Sequence, residues 1–304
     1  MKAVFVDANE ALAGVMTRLL RDDDPPLFIN RNPDIKPDML PALLDGAKVA
    51  VIDHTHFPTA TAKQCAGLEH VVFLGTGPGS YMNIQELGDL GISVDIVKGY
   101  GDTAVAECAV GLMWTAARSF CLMDREMRAG HWVRTNSIQL TGKTLGLIGF
   151  GSIAAEVARI AGGVGMRIIA WNRSPKEHSG VEFVDLDQVL SRSDVISLHL
   201  LLTEETRGII SRERIAAMKP GVILVNTARG ALVDEDALLD ALRSGHLHGA
   251  GLDVYPVEPM CVGHPLTSLP NVVLSAHSAF RTPEASDNLV GAALDHYRRI
   301  VRKG

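Results

Sequence analysis

Cysteine, surplus positive charge and long apolar runs are all missing or scarce in this sequence, and each shortage removes a class of protein. Four cysteines in 304 residues (Cys65, Cys108, Cys121 and Cys261) form no Cys-x-x-Cys pair. That excludes a disulfide-stapled scaffold and a zinc ribbon. Free thiols, most of them buried, in a reducing cytoplasm are the expectation. No run is long and apolar enough to span a bilayer, and the N-terminus leads straight into Ala3–Val6 with no stretch suited to a signal peptide. Lys and Arg number 29 against 35 Asp and Glu, a net charge of -6. Neither nucleic acid nor an anionic membrane is therefore an expected partner. The basic end, Arg298–Lys303, reads as the last turn of a helix, where cations suit the dipole. Repeats and low-complexity segments are absent.

What is present is alternation. Ala3–Val6 reads as a strand, Asn9–Leu20 as a helix, residues 47–52 as a strand, residues 59–66 as a helix and residues 70–74 as a strand. Such alternation means a parallel sheet covered by helices. The loop Leu74-Gly-Thr-Gly-Pro-Gly-Ser80 follows directly. Its glycines are explained by a tight turn needing positive φ, or by backbone N–H groups exposed to bind a carboxylate. Gly99-Tyr-Gly101 breaks the pattern, and residues 103–120 then carry the apolar spacing of one long buried helix. A further series of strands and helices runs to Ser275, and a last helix over residues 283–301 would return to the first domain. The length suits two domains, each with its own core.

The centre of the second series is Lys143-Thr-Leu-Gly-Leu-Ile-Gly-Phe-Gly-Ser-Ile-Ala154. A short apolar strand runs into a glycine turn and then into a helix. Gly149 permits the sharp turn, Gly151 lets backbone approach a pyrophosphate, and Ala154 lets helix pack on strand; Ser152 and Ile153 open the helix that faces the anion. In NAD binders an acidic residue about 20 residues further on takes the ribose hydroxyls. Here the strand at residues 166–171 ends in Asn172-Arg173-Ser174. A guanidinium and a hydroxyl are suited to a 2′-phosphate, so NADPH is expected in preference to NADH.

Three later strands lead to polar residues: Gly221–Asn226 to Arg229, residues 249–254 to Glu258, and Asn271–Ser275 to His277. In an open parallel sheet, ligands bind beyond the carboxyl ends of the strands, so these residues would gather near the nicotinamide. A guanidinium holds a carboxylate and polarises a carbonyl, an imidazolium delivers a proton, and a carboxylate beside it favours the charged form. Together they fit reduction of a 2-oxo acid.

Leu147-Ile-Gly-Phe-Gly-Ser-Ile153, Val225-Asn-Thr-Ala-Arg-Gly-Ala-Leu-Val-Asp234, Gly251-Leu-Asp-Val-Tyr-Pro-Val-Glu-Pro259 and Ser275-Ala-His277 together resemble the D-isomer-specific 2-hydroxyacid dehydrogenase family over nearly the whole chain. The resemblance implies a doubly wound Rossmann-type cofactor domain (residues 99–279) and a smaller flavodoxin-like α/β substrate domain (1–98 plus 280–304), in a homodimer. It implies Arg229 as substrate binder, His277 as acid/base and Glu258 as its partner. It also implies that amides at Thr76 and Gly77 hold the substrate carboxylate, and that Thr103, Thr227 and Asp253 join the cofactor site. Leu74 stands where many members carry Arg, so a second anionic group on the substrate is not expected. The turn at 172–174 is most like that of the NADPH-dependent glyoxylate and hydroxypyruvate reductases.

His54-Thr-His56 and His246-Leu-His248 have no third ligand cluster nearby in sequence, so surface or loop histidines, and no metal, are expected. Trp132 reads as an interface residue. Two other functions fit the same fold. One is a dinucleotide-sensing regulator without turnover, disfavoured by the complete triad. The other is formate oxidation, disfavoured by a carboxylate rather than an amide beside the histidine.

Overall fold

The computed structural model describes residues 2–303. They divide into two compact units. One runs to Gly101 and takes up the chain again at Arg281; the other spans Asp102–Phe280. The changeovers thus fall slightly beyond residues 98 and 279.

The first unit is an all-parallel sheet of β1 (Ala3–Phe5), β2 (Leu27–Ile29), β3 (Val49–Ile52), β4 (His70–Phe73) and β5 (Ser93–Ile96), ordered β2-β1-β3-β4-β5. The helix Glu10–Leu19 starts where the Asn9 side chain accepts the Leu12 amide at 2.9 Å, and it buries Leu12, Ala13 and Met16. The terminal helix Pro283–Lys303 returns to the same core through Leu289, Val290, Ala293, Leu294 and Tyr297. Arg298 on that helix grips the Asp24 carboxylate through two hydrogen bonds of 2.7 and 2.6 Å. That pairing draws Asp24 down to about 2 against the opposing effect of burial.

The second unit holds β6 (Thr144–Ile148), β7 (Arg167–Trp171), β8 (Val181–Phe183), β9 (Val195–Leu198), β10 (Val222–Asn226), β11 (Leu247–Leu252) and β12 (Val272–Leu274), also all parallel. Their order is β12-β11-β10-β9-β6-β7-β8, so the winding reverses between β6 and β9. Such a switch point is where a parallel sheet opens a crevice for ligand. Both faces are covered by apolar cores. The helix Asp102–Arg118 lies so close to β11 that a Cβ on Gly251 would come 2.7 Å from that of Leu112.

Three expectations need correction. The long helix does not reach residue 120. It ends at Arg118, Ser119 turns into the left-handed region (φ +53°), and a second helix, Phe120–Arg128, buries none of its residues. Of the thiols, Cys65 alone is buried; Cys121 and Cys261 are exposed. His248 is neither a surface nor a loop residue: it lies half-buried on β11, and burial lowers its pKa. No single helix among the described residues is long and apolar enough to cross a membrane.

Candidate active site

Strand register lines up the start of the site. Ile148, Leu198, Asn226, Leu252 and Leu274 are mutual partners across β6, β9, β10, β11 and β12. The next residue of each chain segment is Gly149, His199, Thr227, Asp253 and Ser275.

Gly149 has φ +88°, and a Cβ there would sit 2.6 Å from the His199 carbonyl oxygen. Only glycine makes this turn. Gly151 caps the helix Ser152–Gly163 without any side-chain hydrogen bond, and a Cβ on it would meet nothing within 4 Å. The amides of Ser152 and Ile153 therefore open the helix beside empty space, while Ala154 is fully buried against the sheet. Among the described residues the buried Oγ1 of Thr227, Oγ of Ser197 and Nε2 of His199 have no partner. An open helix N-terminus with orphaned polar atoms along the neighbouring strand ends fits a dinucleotide. Burial pushes His199 down to about 4, so it is neutral at physiological pH.

At the end of β7, Asn172 is committed to the turn itself. Its Oδ1 accepts the Phe150 amide at 3.1 Å and its Nδ2 donates to the Ser174 carbonyl at 2.9 Å. Arg173 and Ser174 are exposed, and the Arg173 guanidinium has no partner among the described residues. Lys176, which sequence reasoning missed, donates to the Phe150 carbonyl at 2.6 Å and adds a second cation here.

The side chains of His277 and Glu258 meet. Nδ1 of His277 is 2.6 Å from Oε2 of Glu258. The other Glu258 oxygen accepts the Tyr255 amide at 2.8 Å, which fixes the carboxylate. Tyr255, a second residue the sequence reading passed over, points its phenol at the Ser275 carbonyl (2.8 Å). Burial, then the nearby Asp253 charge, push that phenol up to about 12, so it remains a donor. Arg229 is exposed, its guanidinium donating to the Ala228 carbonyl at 2.6 Å. Its loop is held by Asn226, which donates to the Arg229 carbonyl (2.9 Å) and accepts the Ala228 amide (3.0 Å). Gly230 lets that loop cross the Tyr255–Pro256 backbone, since a Cβ would fall 2.0 Å from the Tyr255 carbonyl carbon. Arg229 and Glu258 thus stand on two loops in backbone contact.

In the first unit, none of Gly75, Gly77 and Gly79 has positive φ, so a strained turn does not explain the glycines. Thr76 and Gly77 are exposed, and their amides donate to no acceptor among the described residues. Thr103 is exposed in the first turn of the helix Asp102–Arg118. Asp253 is fully buried, with its carboxylate bonded to the segment that carries His277. No group of three or more His, Cys, Asp or Glu is arranged for a metal ion among the described residues.

Residues 110–279 match the family model for the NAD binding domain of D-isomer specific 2-hydroxyacid dehydrogenases. The chain is 46% identical over 209 residues to a hydroxypyruvate reductase of Thermotoga maritima, covering 67% of this chain and 68% of the relative. It is 34% identical over 275 residues to a glycerate dehydrogenase of Methylorubrum extorquens, covering 87% and 86%. Among solved structures it superposes on a D-2-hydroxyisocaproate dehydrogenase with a TM-score of 0.93 and 25% identity, covering 100% of this chain and 98% of that one.

Proposed function

The chain belongs to the D-isomer specific 2-hydroxyacid dehydrogenase family, and from that premise we propose that it reduces a small 2-oxo acid of the glyoxylate or hydroxypyruvate kind, with NADPH as the preferred donor. That it is an oxidoreductase interconverting 2-oxo acids and D-2-hydroxy acids with NAD(P) follows from the family. The substrate, the preference for NADPH and the residue roles are our reading.

The His277–Glu258 contact carries it. When bound, the nicotinamide would supply the hydride that reduces the substrate's carbonyl. Protonated His277 gives a proton to the carbonyl oxygen, and Glu258 holds the imidazole in the tautomer and orientation that this requires. Arg229 pairs with the substrate carboxylate and polarises the carbonyl, and the exposed amides of Thr76 and Gly77 are suited to bind a carboxylate. Gly149, Gly151, Ser152 and Ile153 would hold the pyrophosphate, and Thr103 and Thr227 would join the cofactor site. Leu74 is buried in the core of the first unit, so no cation precedes the 76–77 loop, which favours a substrate with one anionic group. The names of the two curated relatives favour a three-carbon hydroxy-substituted acid among such substrates. Arg173, Ser174 and Lys176, with no carboxylate between them, favour the 2′-phosphate of NADPH.

The exposed apolar residues Phe120, Met127, Trp132 and Val133 favour a homodimer built through this segment. Four free thiols favour the cytoplasm. Initial rates with NADPH and NADH over glyoxylate, hydroxypyruvate, pyruvate and phenylpyruvate test the proposal. Efficient turnover of the first two with NADPH supports it; a preference for NADH or for phenylpyruvate overturns it.

A further inference from the structure

We infer that Tyr255 is a positioning residue shared by Arg229, Glu258 and His277, and that its phenolic hydroxyl is the tie that fixes where the segment carrying His277 begins. This rests on the reading of His277 as proton donor. Tyr255 is buried, and its ring belongs to the apolar core that also holds Leu232, Leu252 and Leu266. Its hydroxyl reaches two carbonyl oxygens, that of Ser275 at 2.8 Å and that of Leu252 at 3.1 Å. Its amide donates to Oε1 of Glu258 at 2.8 Å. Its carbonyl carbon would lie 2.0 Å from a Cβ on Gly230, the neighbour of Arg229, so the two backbones touch there. One residue thus meets all three loops that carry the triad.

The hydroxyl acts where the sheet stops. The last paired residues of β11 and β12 are Leu252 and Leu274, and the Ser275 amide still returns to the Leu252 carbonyl at 2.9 Å. The Ser275 carbonyl, in contrast, accepts from no donor among the described residues except the Tyr255 hydroxyl. His277 follows two residues later with φ +46°, so the Ser275 peptide sets the start of that turn. A phenol has one proton to donate, and the shorter approach, to Ser275, has the stronger claim on it. Phenylalanine would keep the ring's packing and leave the carbonyl without its donor. Burial, then the Asp253 charge, with Glu258 adding in the same sense, raise the phenol to about 12. It is a fixed donor, with no part in proton transfer.

Two full-length variants separate the hydroxyl from the ring: Tyr255→Phe, and a chain with p-aminophenylalanine at position 255, which keeps a donor at the ring's end. The readouts are kcat and KM with hydroxypyruvate, the NADPH dissociation constant, and hydrogen exchange of the Ser275 and His277 amides in the protein without ligand. In Tyr255→Phe we expect kcat to fall about five- to ten-fold, KM and NADPH affinity to stay within about two-fold, and both amides to exchange faster. The p-aminophenylalanine chain recovers most of the kcat and the slow exchange. The ratio of kcat between Tyr255→Phe and the unaltered protein is the same at about pH 6 and about pH 9, since a phenol raised above its usual value of about 10 is protonated at both. Unchanged kcat and exchange in Tyr255→Phe overturn the tie. A loss that p-aminophenylalanine leaves in full overturns the hydroxyl's role as donor, and a loss that grows with pH makes the phenol a proton-transfer group instead. If Tyr255→Phe fails to fold, the p-aminophenylalanine chain decides: wild-type kcat and exchange uphold the tie, and loss of either overturns it. If the unaltered protein turns over no 2-oxo acid, the proposed function fails, whereas exchange of the two amides still reads the tie.

Discussion

Glu258 faces two partners at once: one carboxylate oxygen lies 2.6 Å from Nδ1 of His277 and the other accepts the Tyr255 amide. The amide leaves the carboxylate little freedom, and the carboxylate in turn aims the ring. His277→Ala is expected to retain NADPH binding and to lose on the order of 10²–10⁴-fold in kcat. Fluorescence titration with NADPH and steady-state rates check both halves, and unchanged turnover would refute the acid/base role.

Replacing Glu258 by Gln keeps the shape and removes the negative charge. An amide holds the His277 ring less firmly than the carboxylate does at 2.6 Å, so kcat is expected to fall by at least about ten-fold while NADPH affinity is kept. A kcat that is the same in both proteins would remove the pairing from the mechanism.

The cofactor preference has its own test. Arg173→Ala is expected to weaken NADPH by about 1–3 kcal/mol, the loss of a charge-assisted pair to phosphate, and NADH hardly at all. Equal losses for the two cofactors would mean that Arg173 is only a surface residue of the turn. Lys176→Ala is expected to act on both, because its ammonium also ties the Phe150 carbonyl.

Much of the sheet architecture was legible because its central strands are apolar runs bounded by glycine and polar residues. The strands β2 and β5 were not. One has only three residues and exposes Phe28; the other sets Asp95 between Val94 and Ile96. Neither is long or apolar enough to display a period. The triad could be read because each member follows a strand end. Arg173 stood out through the missing acid. His199, Tyr255 and the bonds of Asp253 were not legible, since they depend on register between strands far apart in sequence. Nor was it legible that Asn172, expected at the cofactor, also braces the turn through backbone groups of residues 150 and 174.

Gly149→Ala should damage the scaffold and the site together. The added Cβ meets the His199 carbonyl at 2.6 Å in a backbone with φ +88°, at a cost of about 2–4 kcal/mol. A lowered melting temperature accompanied by weak NADPH binding is the expected result. A variant with unaltered stability would mean that the turn relaxes freely.

A pH effect on stability is expected in the first unit. The Asp53 side chain hydrogen-bonds His54, and with the buried Asp7 and the Pro33 carbonyl it raises this imidazole to about 9 against the opposing effect of burial. A raised folded-state value means a contribution fully present below about 6.5, the value in the unfolded chain, and lost as pH rises through about 9. His54→Gln should therefore narrow the difference in denaturation midpoint between neutral and alkaline solution. Parallel curves for the two proteins would show that His54 contributes no pH dependence.

The terminal helix has a consequence for how the protein is made. Its Leu289, Val290, Leu294 and Tyr297 fill a core whose other side is formed by Ala3, Phe5, Val49 and Val51, from the start of the chain. During synthesis the residues of the second unit, 102–280, have all emerged before that helix does. The segment made first is thus the one that waits longest for its last apolar partner, and the usual N-terminal-first order of domain completion is reversed. Until the helix arrives, nascent chains have this face of the first sheet only partly covered, by the helix Glu10–Leu19, and leave the rest to whatever shields hydrophobic surface near the ribosome.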